Sequence, residues 1–408
     1  MLPFVGLLFD RSVVGSLDVV TTPPYDVISD ADRLRFLGAS PYNVIRLDLG
    51  RSHGGDDDDQ YRRAASELRS WRDARALVST RGPSYYVYEM RFSLHGASRT
   101  ILGLVCAVAI EDPGGAVVPH ERTMEAPIED RLRLLRAVRA NVSCIQTVCE
   151  GPNEALAAFL DDSTRSEPAA TTVDEAGVSH RLWVVPPDPR VAGWLAAETL
   201  MIADGHHRYA TALRFRDEMR ASVGPGPWDR VMALVVDASV QDPPVLPFHR
   251  VQTGGSAHRA GRRVRDLAEV LECLHEGTLR YGIVAIEEGM LVHRVAELEG
   301  EPPVVAALHD HVLDRMDADL RYTPDAGEAE AAVRDRSAVA AYVLPPADAR
   351  EIRAVIERGD RLPPKSTFFW PKPRSGLVIR SLDLDADAGL PAEPDRAEVS
   401  RPRPAPAS

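Results

Sequence analysis

Lysine is almost absent from this sequence. Of its 48 basic residues only Lys365 and Lys372 are lysines, and both lie in one stretch, PPKSTFFWPKP. A coding preference for arginine explains the other positions, and chance clustering is one explanation for these two. The alternative is that a compact ammonium is needed there, because a planar guanidinium cannot replace it at every site. We favour the second interpretation and expect Lys365 or Lys372 to contact phosphate.

Cysteine is scarce, and long apolar runs are missing. The four cysteines show no CxxC pair or repeated spacing, which argues against a zinc ribbon and a disulfide framework. The opening MLPFVGLLF has no basic segment before it and no cleavage site of the A-x-A type, and no apolar stretch is long enough to span a bilayer. These features predict a cytoplasmic protein with reduced thiols that has no membrane partner.

The charge balance narrows the class of partner further. With a net charge of −13, the chain would repel nucleic acids and anionic membranes except at a local basic patch. Its 44% hydrophobic and 27% charged residues are typical of a globular protein, and 408 residues suggest two or three structural units. The sequence therefore predicts a protein that acts on small molecules and binds no nucleic acid.

The stretch MIADGHHRYATALRFRDEM, residues 201–219, predicts a strand, a tight turn and a helix. Such a turn directs backbone N–H groups and the positive end of the helix dipole at one point. His206, His207 and Arg208 follow Gly205 in the first helical turn, with Asp204 beside them. This pattern suits a polyphosphate with a divalent cation held by Asp204. The alternative is a capped helix whose histidines satisfy buried polar groups, but four such residues in five positions favour a site.

Two carboxylates elsewhere are candidates for catalysis or binding. In VVPHERTM, Pro119 ends a predicted strand and His120 and Glu121 follow, which is a suitable place for a general base. A zinc-protease motif is excluded because Met124 stands where HExxH needs its second histidine. In TTPPYDVIS, two prolines present Asp26, which could bind a metal, a substrate amine or a ribose, or cap the next helix.

Local patterns also predict individual elements. Residues 85–94 and 99–112 predict a hairpin with its turn at residues 95–97, and NVIRLDLG, residues 43–50, predicts a strand that carries Arg46. His249 and Arg250, in PPVLPFHR, form a further cationic pair that could face the site.

Seven blocks in this order together resemble a family of bacterial and archaeal proteins called DUF1015: PPYDVIS, NVIRL, YVYE, PHERT…DR, IADGHHRYATAL, PFHR and PKSTFFWPKPRSGLVI. That family in turn resembles the free-serine kinases of the ParB/sulfiredoxin-like superfamily, in which a His-Glu dipeptide after a strand is followed by Asp-Gly-His-His-Arg. The resemblance implies an α+β fold with a ParB/sulfiredoxin-like core. It also implies that Glu121, next to His120, is the base, and that Asp204 to Arg208 form the nucleotide-phosphate and magnesium site.

On this resemblance we expect an enzyme that transfers phosphate from ATP or ADP, with Mg²⁺, to the hydroxyl of a free amino acid, with L-serine first and O-phosphoserine as product. Arg250 or Arg46, with His249 nearby, would meet the substrate carboxylate, and Asp26 its ammonium. The alternative is a ParB-like nucleotide-binding switch or DNA-associated protein without kinase activity. A homodimer is left open.

The expected organisation has four parts. They are an N-terminal α/β region at 1–100, a catalytic core at 101–250 with an insertion at about 151–180, a C-terminal α/β region at 251–382 that closes the site, and a disordered tail at 383–408.

Overall fold

The computed structural model describes residues 1–50, 58–149, 153–194, 198–274, 279–316 and 318–387. Helices and strands alternate along these ranges, so the expected mixed α/β class is confirmed. Residues 388–408 of the predicted tail lie outside the described residues, whereas Leu382–Asp387 form a helix at the point where the tail was predicted to begin. No helix in the described ranges is both long enough and apolar enough to cross a membrane.

The strands of the described chain are β1 (Gly6–Phe9), β2 (Leu77–Ser79), β3 (Tyr85–Leu94), β4 (Ala97–Ala109), β5 (Val117–Pro119), β6 (Ala140–Asn141), β7 (Ile145–Cys149), β8 (Ala170–Val173), β9 (Ser179–Val185), β10 (Leu200–Asp204), β11 (Arg230–Asp237), β12 (Val245–Pro247), β13 (His249–Gln252), β14 (Arg262–Val264), β15 (Arg280–Glu287), β16 (Met290–Glu297), β17 (Leu320–Thr323), β18 (Ala340–Val343), β19 (Thr367–Phe369) and β20 (Ile379–Ser381).

The helices are α1 (Arg11–Val14), α2 (Asp30–Ala39), α3 (Ile45–Asp48), α4 (Asp59–Asp73), α5 (Glu125–Val138), α6 (Glu154–Ser163), α7 (Pro189–Trp194), α8 (His206–Ser222), α9 (Leu267–Cys273), α10 (Val304–His311), α11 (Ala326–Arg334), α12 (Ala349–Glu357) and α13 (Leu382–Asp387). Short 3₁₀ turns cover Tyr25–Val27, Pro227–Asp229 and Leu313–Arg315.

Eight strands form a mixed sheet in the order β5-β10-β7-β11-β4-β3-β9-β8. β5 and β10 run parallel, with Pro119 opposite Ile202. Because both strands end at the same edge, the residues that follow them, Glu121 and Gly205, come to one place.

Helix α8 packs on one face of this sheet. Its Tyr209 and Ala212 are buried in a cluster with Ile145 of β7 and Val235 of β11. Further along the helix, Phe215 packs with α5. This packing fixes the N-terminus of α8 directly at the end of β10.

The smaller sheets bring distant parts of the chain together. A four-stranded sheet, β2-β1-β20-β6, joins the first strand to the last, and a six-stranded sheet has the order β14-β16-β15-β18-β13-β17. β19 pairs antiparallel with β12 and lies against β10. The two lysines, which flank β19, are thereby brought beside the end of β10.

The predicted hairpin is confirmed. β3 and β4 pair with Leu94 opposite Ala97, and His95 and Gly96 between them both have positive φ, 50° and 78°. Two consecutive positive φ values match a two-residue turn whose twist suits the flanking strands.

The strand predicted at residues 43–50 is wrong, since these residues contain helix α3. Asn43 Oδ1 accepts a hydrogen bond from the backbone N–H of Ile45 at 2.9 Å, which favours a helical turn over an extended chain. Ile45 and Leu47 are both fully buried. Tertiary packing therefore overrides the β propensity of this segment.

Candidate functional site

Five parts of the chain meet at one cleft. They are the Tyr25–Val27 turn, the end of β5, the junction of β10 with α8, Phe248 between β12 and β13, and residues 363–373, which we call the lysine segment. The cleft is lined by Tyr25, Asp26, Glu121, Ala203, Asp204, Gly205, His206, His207, Arg208, Phe248, Lys365, Thr367 and Lys372. The structure thus brings together most of the site residues that the sequence singled out.

The N-terminus of α8 opens into this cleft without a side-chain cap. Gly205 holds the N-cap position with φ of 95°, and no acidic residue lies in the first turn of the helix. A Cβ at this position would lie 2.9 Å from Ile145 Cγ2 and 3.0 Å from Arg208 Nε. Only glycine therefore fits, and the first N–H groups of the helix are left for an anion.

Asp204 is held between two cations. Its Oδ1 accepts from Lys372 Nζ, and its Oδ2 accepts from Arg208 Nη2 at 2.5 Å. Arg208 Nη1 donates in addition to Ser143 Oγ at 3.0 Å and to the carbonyl of Cys144, so part of the guanidinium also anchors the start of β7. Burial lowers the pKa of Arg208, but the nearby negative charges, that of Asp204 first, raise it by more. The pKa of Arg208 therefore lies above its usual value.

Asp26 pairs with the other lysine. Its Oδ2 accepts from Lys365 Nζ, whereas its Oδ1 is buried and has no hydrogen-bond partner. Burial raises the pKa of Asp26, but the charges of Lys365, Lys372 and Arg208 outweigh it and lower the pKa overall. For Lys365, burial lowers the pKa and Asp26 raises it, with a net rise. The lowered pKa of Asp26 and the raised pKa of Lys365 both indicate that the pair is charged.

Glu121 holds the lysine segment through its backbone. Its Oε1 accepts from the N–H groups of Ser366 at 3.0 Å and Thr367 at 2.8 Å and from Thr367 Oγ1 at 2.8 Å, and its Oε2 accepts from the N–H of Lys365 at 3.1 Å. Lys365 has φ of 57°, an unfavourable value for a residue with a Cβ. The carboxylate therefore fixes a strained turn, and only Oε2 has capacity left for another donor.

His120 lies behind the cleft wall and is fully buried. Its Nε2 is 2.8 Å from Thr367 Oγ1. Because Thr367 Oγ1 already donates to Glu121, it accepts from His120, so Nε2 carries the proton. The Nδ1 atom of His120 is buried without a partner. His120 therefore supports Glu121 through Thr367 and does not line the cleft.

The two histidines of α8 are neutral acceptors. His206 Nε2 accepts from the N–H of His120 at 3.4 Å, and His207 Nε2 accepts from the N–H of Met124 at 3.0 Å. Burial lowers the pKa of both, and nearby positive charge lowers it further. Neutral histidines with Nε2 engaged carry their proton on Nδ1, which leaves each ring one donor.

The family model described as "Protein of unknown function (DUF1015)" matches residues 1–319. The chain belongs to the DUF1015 family. No curated protein matches its sequence.

Solved structures are similar to this DUF1015 protein only at a low level. A free serine kinase in complex with AMP is 14% identical with a TM-score of 0.36, over 65% of this chain and 86% of that chain. A conserved hypothetical protein from Pyrococcus furiosus is 14% identical with a TM-score of 0.36, over 69% and 97%. SbnI from Staphylococcus aureus, truncated at its C-terminus, is 12% identical with a TM-score of 0.38, over 69% and 90%. Identities and TM-scores this low do not assign an activity to this protein.

Three residues predicted to bind the substrate lie outside the cleft of the DUF1015 protein. Arg46 donates to the backbone carbonyls of Leu37, at 2.8 Å, and Ser40, at 3.3 Å, and so ties α3 to the end of α2. The expectation failed because residues 43–50 are helical, which directs Arg46 away from the site.

His249 and Arg250 are both buried on β13. His249 Nδ1 accepts from the N–H of Leu344 at 3.1 Å. Arg250 donates to the carbonyls of Phe248 at 2.6 Å and Lys365 at 2.9 Å, so it holds the lysine segment through a carbonyl, whereas Glu121 holds it through N–H groups. Burial lowers the pKa of Arg250 to about 10. Neither side chain is free to meet a substrate carboxylate.

Four cleft residues, Tyr25, Ala203, Phe248 and Thr367, were given no role from the sequence. Tyr25 precedes Asp26 in the same turn, and Thr367 lies between the two lysines. Because Asp26 and the lysines were already candidate site residues, the sequence indicated that Tyr25 and Thr367 lie near the site. The ring of Phe248 lies 5.5 Å from Lys365 Nζ, a cation–π distance. Its position followed only from the tertiary structure.

The predicted metal ligand does not fit a metal ion in this arrangement. Both oxygens of Asp204 are taken by Lys372 and Arg208, so a cation would have to displace one of them. Within the described ranges, no group of three or more His, Cys, Asp or Glu side chains is placed to hold a metal. Asp26 Oδ1 is the one carboxylate oxygen of the described cleft that is buried without a partner.

Proposed function

We propose that this protein is a phosphotransferase that moves a phosphoryl group from ATP or ADP to the hydroxyl of a free amino acid, with L-serine as the first acceptor to test. The observation that carries the proposal is the convergence of Lys365, Lys372 and Arg208 on the uncapped N-terminus of α8. Phosphoryl transfer requires this combination of charge neutralisation and alignment.

The phosphates would occupy the space between Gly205 and the two lysines. In the cleft as described, Asp26 and Asp204 neutralise Lys365 and Lys372. A nucleotide phosphate carries more negative charge than a carboxylate, so it can compete with Asp26 and Asp204 for the ammonium groups. Both lysine side chains are mostly buried, at 17% and 7% exposure, so an exchanged phosphate contact would be little screened by water.

A bond forms between the acceptor hydroxyl oxygen and the terminal phosphorus of the donor, and the bond from that phosphorus to its bridging oxygen breaks. The hydroxyl proton goes to a cleft carboxylate, and ADP leaves from ATP, or AMP from ADP. Mg²⁺ is supplied as the nucleotide complex, where it neutralises phosphate charge.

Glu121 is our proposed base, and Asp26 is the alternative. The four hydrogen bonds to Glu121 hold its carboxylate in a fixed direction, with Oε2 accepting only one of them. Asp26 Oδ1 has no hydrogen-bond partner, but the other oxygen of the same carboxylate, Oδ2, accepts from Lys365. General-base assistance is worth about 10²- to 10⁴-fold.

Single-turnover rates at saturating nucleotide separate the two carboxylates. We expect Glu121→Gln to lower the rate by about 10²- to 10⁴-fold. Because the Gln amide places a donor near the N–H of Lys365, it should also weaken nucleotide binding, measured calorimetrically. If Glu121→Gln keeps its rate and Asp26→Asn loses it, the base is Asp26 and Glu121 only holds the lysine segment.

The function itself is tested by incubating the protein with ATP or ADP, Mg²⁺ and a panel of amino acids, followed by mass spectrometry of the products. We expect phosphorylated hydroxy-amino acid from the native protein and from Arg11→Met, and none from the Lys365→Met, Lys372→Met double variant. Nucleotide binding without any phosphorylated acceptor would favour the nucleotide-switch alternative. Absence of nucleotide binding would overturn both.

A further inference from the structure

A second cavity shares Tyr25 with the cleft. It has a volume of about 310 Å³, and we call it the Tyr25 cavity. Tyr25 lines both spaces, and the next residue, Asp26, lines the cleft. A ligand in the Tyr25 cavity would therefore lie close to the cleft where phosphate is proposed to bind.

Negative charge exceeds positive charge in one part of the cavity wall. Arg131 Nη1 donates to Asp48 Oδ1 at 2.7 Å, and Arg131 Nε donates to Asp130 Oδ2 at 2.8 Å. One guanidinium is thus shared by two carboxylates. The guanidinium carbon also lies 4.3 Å from the centre of the Tyr25 ring, which fixes its plane.

Asp48 has an oxygen left over. Its Oδ2 is buried without a hydrogen-bond partner, and the side chain is only 5% exposed. Burying a carboxylate oxygen without a donor costs free energy, and a ligand cation that donates to it would recover that cost. The other oxygen of the same carboxylate is already fixed by Arg131, so the open oxygen has a defined direction.

Charged residues of the cleft also act on the Asp48 carboxylate. Burial raises the pKa of Asp48, Arg131 and Arg208 lower it, and Asp26 raises it, with a net rise. A third cavity shares Tyr25, Asp48 and Arg131 with the Tyr25 cavity, and Tyr25 and Arg208 with the cleft. The linings of the three spaces therefore overlap, and a small ligand held at Asp48 would lie near the cleft.

We propose that the Tyr25 cavity binds the ammonium group of the phosphoryl acceptor, with Asp48 Oδ2 as its hydrogen-bond acceptor. This inference rests on the proposed function and specifies its acceptor class as a primary amine that carries a hydroxyl. Asp26, which the sequence favoured as the ammonium partner, also has an oxygen without a hydrogen-bond partner, but its other oxygen is paired with Lys365, where the nucleotide phosphate is proposed to bind. Asp48 is paired instead with Arg131, which does not line the cleft, and its second oxygen has no partner either.

The test compares two acceptors of the same size, L-serine and L-glycerate, in which a hydroxyl replaces the ammonium. For the native protein we expect kcat/KM to favour L-serine by about 10²-fold or more, because a site built to bind a polar group rejects an analogue that leaves it unpaired. In Asp48→Asn this preference should fall to within about tenfold of unity. Asp161→Asn, an exposed site on α6, should keep the native ratio.

The ratio distinguishes recognition from folding, because a structural defect in Asp48→Asn would lower both rates and leave their ratio unchanged. Equal rates for the two acceptors in the native protein, or an unchanged ratio in Asp48→Asn, would overturn the inference while the kinase function stands. If neither acceptor is phosphorylated, the proposed function fails. In that case calorimetric binding of L-serine and L-glycerate still decides whether Asp48 recognises an amine, and equal affinity would overturn the inference.

Discussion

At the scale of single residues, Lys365 and Lys372 show how a rare residue type marks a site. Each ammonium meets a different cleft carboxylate, and each lies against an aromatic ring, that of Phe248 for Lys365 and that of Phe368 for Lys372, at 5.5 Å and 4.8 Å. A compact ammonium fits between a carboxylate and a ring face where the larger, planar guanidinium would need more space.

We therefore expect Lys372→Arg to weaken nucleotide binding by about 10- to 100-fold, on the order of one charge-assisted hydrogen bond, although the charge is kept. The reason is that the Lys372 side chain is only 7% exposed and paired with Asp204, so a longer side chain must displace its neighbours. Isothermal calorimetry with ATP and ADP measures the effect.

Arg11→Lys, at an exposed position, is the matched control and should bind nucleotide like the native protein. Native affinity in both Lys365→Arg and Lys372→Arg would leave coding preference and chance as the explanation for the two lysines.

Residue type alone did not identify every site residue. Glu121 follows the end of β5, Asp204 ends β10 and the two lysines flank β19, so all four side chains are placed by nearby strand ends. Arg250 has the same charge and a similar sequence setting, yet it faces inward to backbone carbonyls. Alternation along a strand gives two faces but does not say which one meets the site.

At the scale of elements, the start of α8 is the part that the sequence predicted best. Strand, tight turn and helix all appear where the pattern placed them, because the glycine turn and the 3.6-residue spacing are local signals. Helix α3 was missed for the opposite reason: apolar and polar residues alternate through NVIRLDLG as they would in a strand, and the burial of Ile45 and Leu47 comes from distant contacts. The Tyr25 cavity, which depends on α3, was therefore not predictable.

The turn before α8 can be tested against the turn after it. Gly205 and Gly224 have similar φ values, 95° and 101°, but a Cβ meets close neighbours at Gly205 and open space at Gly224. We expect Gly224→Ala to lower the free energy of unfolding by about 1 kcal/mol and Gly205→Ala by about 2–4 kcal/mol.

Urea unfolding measures both variants, and only Gly205→Ala should also weaken nucleotide binding. Equal destabilisation by the two substitutions would show that the neighbours of Gly205 move aside at no cost.

At the scale of the whole molecule, buried histidines make stability depend on pH. Burial lowers the pKa of several histidines distributed over the described fold, namely His120, His180, His206, His207, His249, His258 and His309. In the unfolded chain these groups bind protons below about pH 6.5, whereas in the folded protein they stay neutral to lower pH. The stability they contribute is therefore fully present above pH 6.5 and is lost as the pH falls.

His249 allows one contribution to be isolated, since burial lowers its pKa to about 4. Lowering the pH from 6.5 to 4 should cost up to about 3 kcal/mol through this residue alone. His249→Asn, which can still accept from the N–H of Leu344, should show a smaller loss of unfolding free energy between pH 7 and pH 5 than the native protein. His95→Asn, in the exposed hairpin turn, should show the native pH dependence. Identical slopes in all three proteins would contradict the assignment.

The confinement of both lysines to the cleft makes the protein a natural carrier of two spectroscopic probes. Reductive methylation with ¹³C-formaldehyde would label the ε-amino groups of Lys365 and Lys372, since the sequence contains no other lysine. The two ε-signals would then report separately on the carboxylates that hold them, Asp26 and Asp204. Their shifts on adding ligand would follow events in the cleft without background from other lysine side chains.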